Sequence, residues 1–447
     1  MFFAATNISA GSAEEVRLLT LDPGHFHASL VQKLMYPQVS PIVHVYAPEG
    51  ADLDQHLQRI EGFNTRTENP THWQEKVYRG PDFLDRMVSE KAGNVVVISG
   101  NNTRKTDYIA KSVAAGFNVL ADKPMAITPE NFDLLRKVFE KAAEKKVLLY
   151  DIMTERHEIT TILQRELSRM PELFGKLEKG TPEEPAVVVE SVHYFFKEVA
   201  GKPLIRPAWF FDVRQEGEAL ADVGTHLVDQ VQWQCFPEQP LDWRKDIKVL
   251  KARRWATPLT REQFRQATGL SEFPEFLQKD VGPDGKLNVF ANGEMTYIIR
   301  GIHVKITTKW DFGSPAAKDT HASLLKGTKA NLSIESSSAL AVSGKGPPPS
   351  GADFDSSVRD PMDKIAKKYP GLGVDMARNR GTSNDSFHLL LRVPEKYNVG
   401  HEAHFAQVTE DFLRYLKEGK LPSWEVPNML AKYYTTAEAY RLSHAKK

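Results

Sequence analysis

The sequence predicts an α/β protein in two parts: a doubly wound parallel sheet, then an α+β half with a largely antiparallel open sheet. Three observations predict this. As far as Tyr150, short apolar strands alternate with amphipathic helices, the order that builds a parallel sheet. After Asp151 strands follow one another with few helices between them, as in an antiparallel sheet. The chain's 447 residues exceed one ordinary core, so two domains are expected, 15–152 and 153–447, behind a leader of residues 1–14.

Residues 16–21 (VRLLTL) form the first strand, 22–27 a tight turn and 28–35 a helix. A strand at 41–46 and a helix at 52–62 follow; 64–80 reads as a polar connector containing Trp73, and 82–91 as a helix. Residues 94–99 (NVVVIS) are a buried-strand run, 106–115 alternate as a helix does, and Gly116 closes that helix before the strand 118–121. Thr128 caps, and Pro129 opens, a helix at 129–145, and 147–150 (VLLY) is the last strand of the first half. The second half opens with a helix at 158–169. Strands are expected at 186–196, 246–252, 294–299, 303–310, 322–324, 329–334 and 388–391. Residues 343–386, rich in Pro, Gly, Ser and Asp, read as a long cover or insertion holding one helix, 361–368. Helices at 405–418 and 428–443 end the chain and are candidates to pack back on the first domain.

Lys plus Arg and Asp plus Glu each number 58, a formal net charge of +0, which gives no basic face for a nucleic acid. Cys235 is the one cysteine, so neither an intramolecular disulfide nor a thiolate-rich metal site can form. No segment is long and apolar enough to read as a membrane span. The start, MFFAATNISAGSAEE, has an apolar patch followed by small residues but lacks a basic opening and a full apolar core. It reads as a cytoplasmic leader or as the remnant of a signal for export to the periplasm.

Two stretches carry chemistry. In GFNVLADKPMA, Lys123 follows a short strand, and ligands gather beyond the carboxyl ends of parallel strands. In ALADVGTHLVDQVQW, Asp222 and His226 are four apart, which on a helix brings them to one face about 6 Å apart. Oxidising an alcohol removes a proton from oxygen as hydride leaves carbon, and a histidine titrating near neutrality suits that step. The rival reading is an amphipathic helix with surface charges. With no further His or Cys clustered beside the pair, no metal is expected there.

Gly116 to Pro124 and the stretch DVGTHLVD resemble the glucose-fructose oxidoreductase, inositol dehydrogenase and MocA (Gfo/Idh/MocA) superfamily. Its signatures are a glycine, a short strand and Glu-Lys-Pro, and then Asp-x-Gly-x-His-x-x-Asp. Asp122 stands here in place of the glutamate, and the likeness runs over residues 16–233. The stretch WDFGSPAAKDTHASLLKGTKANLSIES resembles a carboxy-terminal domain of oxidoreductases from glycan-degrading bacteria.

The resemblance implies a Rossmann-like first domain binding NAD or NADP, a carbohydrate substrate, and a homo-oligomer, either dimer or tetramer. Carried over, His226 is the proton acceptor or donor, Asp222 a substrate-binding partner and Lys123 a cation polarising the reacting hydroxyl. Asp229 orients the helix or His226. The turn LDPGHFHAS retains Gly24 alone of the usual three glycines, with His25 and His27 as further donors. Glu49 is the acidic residue nearest the end of the second strand and tips the cofactor towards NAD. Asn101, Asn102, Asp122, Lys123 and Pro124 complete the expected cofactor contacts, and Lys105 reads as a phosphate ligand or a solvated helix-start lysine. Tyr194, Trp209 and Arg214 offer aromatic faces and a guanidinium suited to a sugar. The function implied is an NAD(P)-dependent oxidoreductase acting on a hydroxyl of a sugar, sugar derivative or cyclitol. The alternatives are a redox-assisted glycosidase or lyase with tightly bound NAD, and a non-catalytic nucleotide or sugar sensor.

Overall fold

In the computed structural model, which describes residues 15–199, 202–345, 352–379 and 386–445, six short strands pair in parallel. The expected leader, 1–14, lies outside the described residues. The strands are β1 (Leu18–Leu21), β2 (Ile42–Ala47), β3 (Gln74–Arg79), β4 (Val95–Ile98), β5 (Asn118–Asp122) and β6 (Leu149–Ile152), in the order β3-β2-β1-β4-β5-β6. Strands β1 and β4 are buried along their whole length, which explains their unbroken apolar runs. Between the strands lie α1 (His27–Leu30), α2 (Ala51–Thr65), α3 (Phe83–Glu90), α4 (Asn102–Ala115) and α5 (Pro129–Lys145). The strand order reverses between β1 and β4, so a crevice opens beyond their carboxyl ends.

Three expectations are corrected in this half. β3 lies within the supposed connector 64–80, because QEKVYR is a largely exposed edge strand without apolar alternation. α1 stops at Leu30, short of the expected 35. α4 begins at Asn102, where the Asn101 side chain accepts from Thr103 N, four residues before the apolar pattern starts.

A 3-10 turn, Thr154–His157, leads to α6 (Ile159–Ser168) and β7 (Val187–Phe196). The two-residue strands β8 (Glu198–Val199) and β9 (Lys202–Pro203) precede α7 (Val223–Cys235), β10 (Ile247–Leu259), α8 (Arg261–Thr268), β11 (Leu287–Ile299) and β12 (Ile302–Gly313). Next come β13 (Thr320–Lys326), β14 (Ala330–Ser336), β15 (Ala339–Gly344), α9 (Ala352–Phe354), α10 (Asp360–Lys368), β16 (Gly373–Asn379), β17 (Ser386–Arg392), α11 (His401–Glu418) and α12 (Glu425–His444). Nine of these strands form one sheet, β10-β11-β12-β7-β13-β14-β15-β17-β16, antiparallel except where β7 meets β12. Helices α6 and α7 pack against it and against each other. The supposed long cover, 343–386, is partly sheet: β15 runs into its start, and β16 pairs with β17 although GVDMARN shows little strand pattern. Residues 346–351 and 380–385 of that segment lie outside the described residues.

The last two helices return to the first sheet, and Phe405, Phe412 and Tyr433 join its apolar core. Each such side chain contributes on the order of 1.5–3 kcal/mol by burial. This return carries His401, the first residue of α11, to the turn after β1.

Candidate functional site

The carboxyl end of β5 is held from behind by α4. Lys105, 1% exposed, donates its Nζ to the carbonyls of Asp122 (3.1 Å) and Lys123 (3.4 Å), and Thr106 Oγ1 donates to Met125 O (2.7 Å). Lys105 is therefore a buried clamp on the Asp122–Met125 loop and not a solvated lysine. The Lys123–Pro124 peptide is cis. Lys123 Nζ lies 2.5 Å from Asp222 Oδ1, a contact across the two halves of the chain. Burial alone would strip the lysine of charge; Asp222 and Asp122 more than offset it and hold Lys123 above its ordinary value.

Asp222 stands just before the first residue of α7, not within the helix, and its carboxylate goes to Lys123 instead of capping. The expected pairing of Asp222 with His226 across one helix face is therefore replaced by a cluster centred on Lys123. His226 is 8% exposed and its Nδ1 has no hydrogen-bond partner. Burial, then the Lys123 charge, then His401 press its pKa well below the ordinary 6.5, so the imidazole is neutral. Asp229 holds α7 rather than the imidazole. Its carboxylate takes two 2.7 Å hydrogen bonds from Arg156 and one of 2.8 Å from Lys432.

The sequence reading did not single out two further acids: Glu216 lines this crevice, and Glu155 feels the charge of Lys123. Glu216 is buried, and burial with the neighbouring Asp222 raises its carboxyl well above the usual range against the pull of Lys123 and Lys105. Glu155 is pushed up to about 8 by burial and by Glu158, with Lys123 opposing and Asp319 adding to the shift. Both are far from Lys123 in sequence, and neither stands in a recognisable motif. The crevice itself is lined by His25, Gly100, Asn102, Lys105, Asp122, Lys123 and Glu216.

The β1–α1 turn closes one side of the crevice. Asp122 Oδ2 accepts from Ser99 Oγ (2.9 Å) and lies 3.0 Å from His27 Nδ1. Burial opposes its ionisation, but His27, Lys105 and His25 together hold Asp122 well below the usual range. His25, His27 and Asp122 each offer one ligand atom within 4.8 Å of the others, a grouping invisible in sequence. A Cβ on Gly100 would come within 2.4 Å of Asp22 O and 2.9 Å of Gly24 N, so only glycine allows these two turns to touch.

Other expected residues are placed elsewhere. Arg214 forms surface ion pairs with Asp280 (2.6 Å) and Asp212 (2.7 Å), not a sugar clamp. Trp209 Nε1 donates to Asp52 Oδ2 (3.0 Å) and the ring packs over Gly24, at the nucleotide turn instead of a sugar pocket. Tyr194 stays on β7 beside Gly313, part-exposed. Glu49 is exposed in the turn between β2 and α2. Asn101 and Asn102 reach the 215–216 segment, where Asn101 Nδ2 donates to Gln215 Oε1 (2.7 Å) and Asn102 Nδ2 to Glu216 O (2.6 Å).

Residues 42–151 match the family model described as "Oxidoreductase family, NAD-binding Rossmann fold", and residues 163–444 match the "Putative oxidoreductase C terminal domain". A solved structure described as a "putative oxidoreductase" from Parabacteroides merdae ATCC 43184 is 52% identical, covering 98% of this chain and 99% of that one, with a TM-score of 0.92. The chain belongs to the Gfo/Idh/MocA oxidoreductase family. Its first sheet is that family's NAD-binding Rossmann domain, as the strand order requires. More distant solved structures share the fold: levoglucosan dehydrogenase in complex with NADH (12% identity, 96% and 98% coverage, TM-score 0.57) and GenD2 from gentamicin A biosynthesis in complex with NAD (14%, 97% and 95%, 0.57). No curated protein matches. Among the described residues, no helix is long and apolar enough to cross a membrane.

The crevice suits the nicotinamide end of a Gfo/Idh/MocA cofactor. Asn102 Oδ1 is buried without a partner, an acceptor waiting for a hydroxyl or amide donor, and it stands beside Lys123 in the crevice lining. The diphosphate end is built differently from a glycine-rich turn. Gly24 N donates to Asp22 O, His25 N to Ser99 O and Ala28 N to His25 O, so these amides are already engaged. Asp22 and Asp52 face one another there, and each carboxyl is raised chiefly by burial. The match to the NAD-binding family model begins only at residue 42, beyond this turn.

Proposed function

We propose that this protein is an NAD(P)-dependent dehydrogenase acting on a hydroxyl of a sugar, sugar derivative or cyclitol. The observation that carries the reading is the meeting of Lys123, from the nucleotide-binding half, with Asp222 at the start of the helix that bears His226. The nicotinamide, when bound, supplies the hydride acceptor. The remaining steps belong to the chain. Lys123 stays charged through Asp222 and donates to the substrate oxygen, stabilising it as negative charge develops. Neutral His226 accepts the hydroxyl proton. Asn102, with its free acceptor, orients the ribose or carboxamide.

Glu155 favours a second reading. A carboxyl raised to about 8 keeps its proton at neutral pH, a protonated acid is what a glycosidic leaving group needs, and the charge of Lys123 acts on this one. In that redox-assisted elimination the oxidised and reduced cofactor interconvert without net change. A screen of monosaccharides and glycosides with product analysis separates the two. The dehydrogenase reading expects NADH in stoichiometric amount with an oxidised sugar, whereas released aglycone without NADH establishes the elimination. Absence of both products, together with no nicotinamide binding by fluorescence, refutes the enzyme readings.

A further inference from the structure

The histidines at the β1–α1 turn have no part in the chemistry above. His27 is 7% exposed, and its Nδ1 faces the Asp122 carboxylate at 3.0 Å, which makes Nδ1–H the donor and leaves the Nε2 lone pair free. That Nε2 lies 3.4 Å from His401 Nε2, at the first turn of α11. At 3.4 Å this pair is at the long end for a hydrogen bond between ring nitrogens. Two imidazole nitrogens about 2.0–2.1 Å from one tetrahedral ion stand about 3.3–3.4 Å apart, which matches. A carboxylate behind a ligating histidine is the arrangement that fixes its tautomer and raises its basicity towards the ion.

We propose that His27 Nε2 and His401 Nε2 are two ligands of a divalent transition-metal ion of the zinc class, with Asp122 orienting His27 from behind. The other coordination positions are open to water or to hydroxyl oxygens of a polyol. The positive charges of Lys105 and Lys123 act against a cation here, and the carboxylates of Asp122 and Asp222 act for it. Sequence spacing hides this set, because 374 residues separate its two histidines.

The binding is tested on the full chain with any affinity tag removed, independently of whether the dehydrogenase reading holds. Metal content is measured by mass spectrometry. Chelated protein is then titrated with Co²⁺, followed by its visible absorption, and with Zn²⁺ in competition. The expectation is about one ion per chain, a Co²⁺ spectrum of tetrahedral intensity, and affinity reduced roughly 10–100-fold by Asp122→Asn and further by His27→Gln or His401→Gln. His404→Gln, three residues along α11 and directed to Glu158, is expected to retain wild-type affinity. His401→Gln alters a part-exposed helix start and endangers folding least. Wild-type Co²⁺ affinity in that variant, or the absence of any Co²⁺ spectrum in the parent protein, overturns the proposal.

Discussion

Burial presses the pKa of Lys123 and of His226 the same way, and their charged neighbours separate them. The lysine keeps its charge because two carboxylates face it, and the histidine loses basicity because it is buried beside that charge. The sign of the pH dependence follows. The active base is the neutral ring, present above its pKa in the folded protein and lost as the pH falls through that value. Since the value is depressed from 6.5, the acid limb of the kcat/KM profile is expected below pH 6.5. An acid limb centred at or above 6.5 would show that another group, or a solvated His226, is the base. Sequence spacing singled out Lys123, Asp222 and His226 as candidates, because each sits in a local pattern tied to a strand end or a helix start. Glu155, Glu216 and His401 were not legible: their roles arise from burial and from segments that meet only in the fold. Trp209 and Arg214 misled for the converse reason, since side-chain chemistry does not say which way a loop residue faces.

Among the elements, α7 matters most, because it carries His226 and must be held against both sheets. Asp229 does this through Arg156 of the 3-10 turn and Lys432 of α12; Lys432 also pairs with Asp151 at 2.8 Å, and Arg156 with Glu425 at 2.8 Å. Replacing Asp229 by Ala leaves two buried cations short of a carboxylate, and is expected to lower unfolding stability by about 3–5 kcal/mol in a denaturant melt. A loss below about 1 kcal/mol would mean that the network does not anchor the helix. Helix and buried-strand periods predicted most of the elements close to their observed limits. The edge strands β3 and β16 escaped, since an exposed edge needs no apolar alternation.

In the whole molecule, the chain runs from a nucleotide-binding sheet to a nine-stranded sheet and then back, so that α11 and α12 close over the first core. Alternation of strands and helices foretold the parallel sheet and its crevice. The return of the last helices was open to suspicion only, because apolar stripes do not name their partner. The central claim is that groups from both halves meet to oxidise a hydroxyl, Lys123 holding the oxygen and His226 taking its proton. Single-turnover kinetics test it most directly: protein loaded with oxidised nicotinamide is mixed with a sugar from the active set, and the reduced cofactor is followed by absorbance. The account predicts rapid reduction by the parent protein and a rate about 10²–10⁴-fold lower in His226→Ala with its fold intact. Equal rates in the two proteins would contradict it.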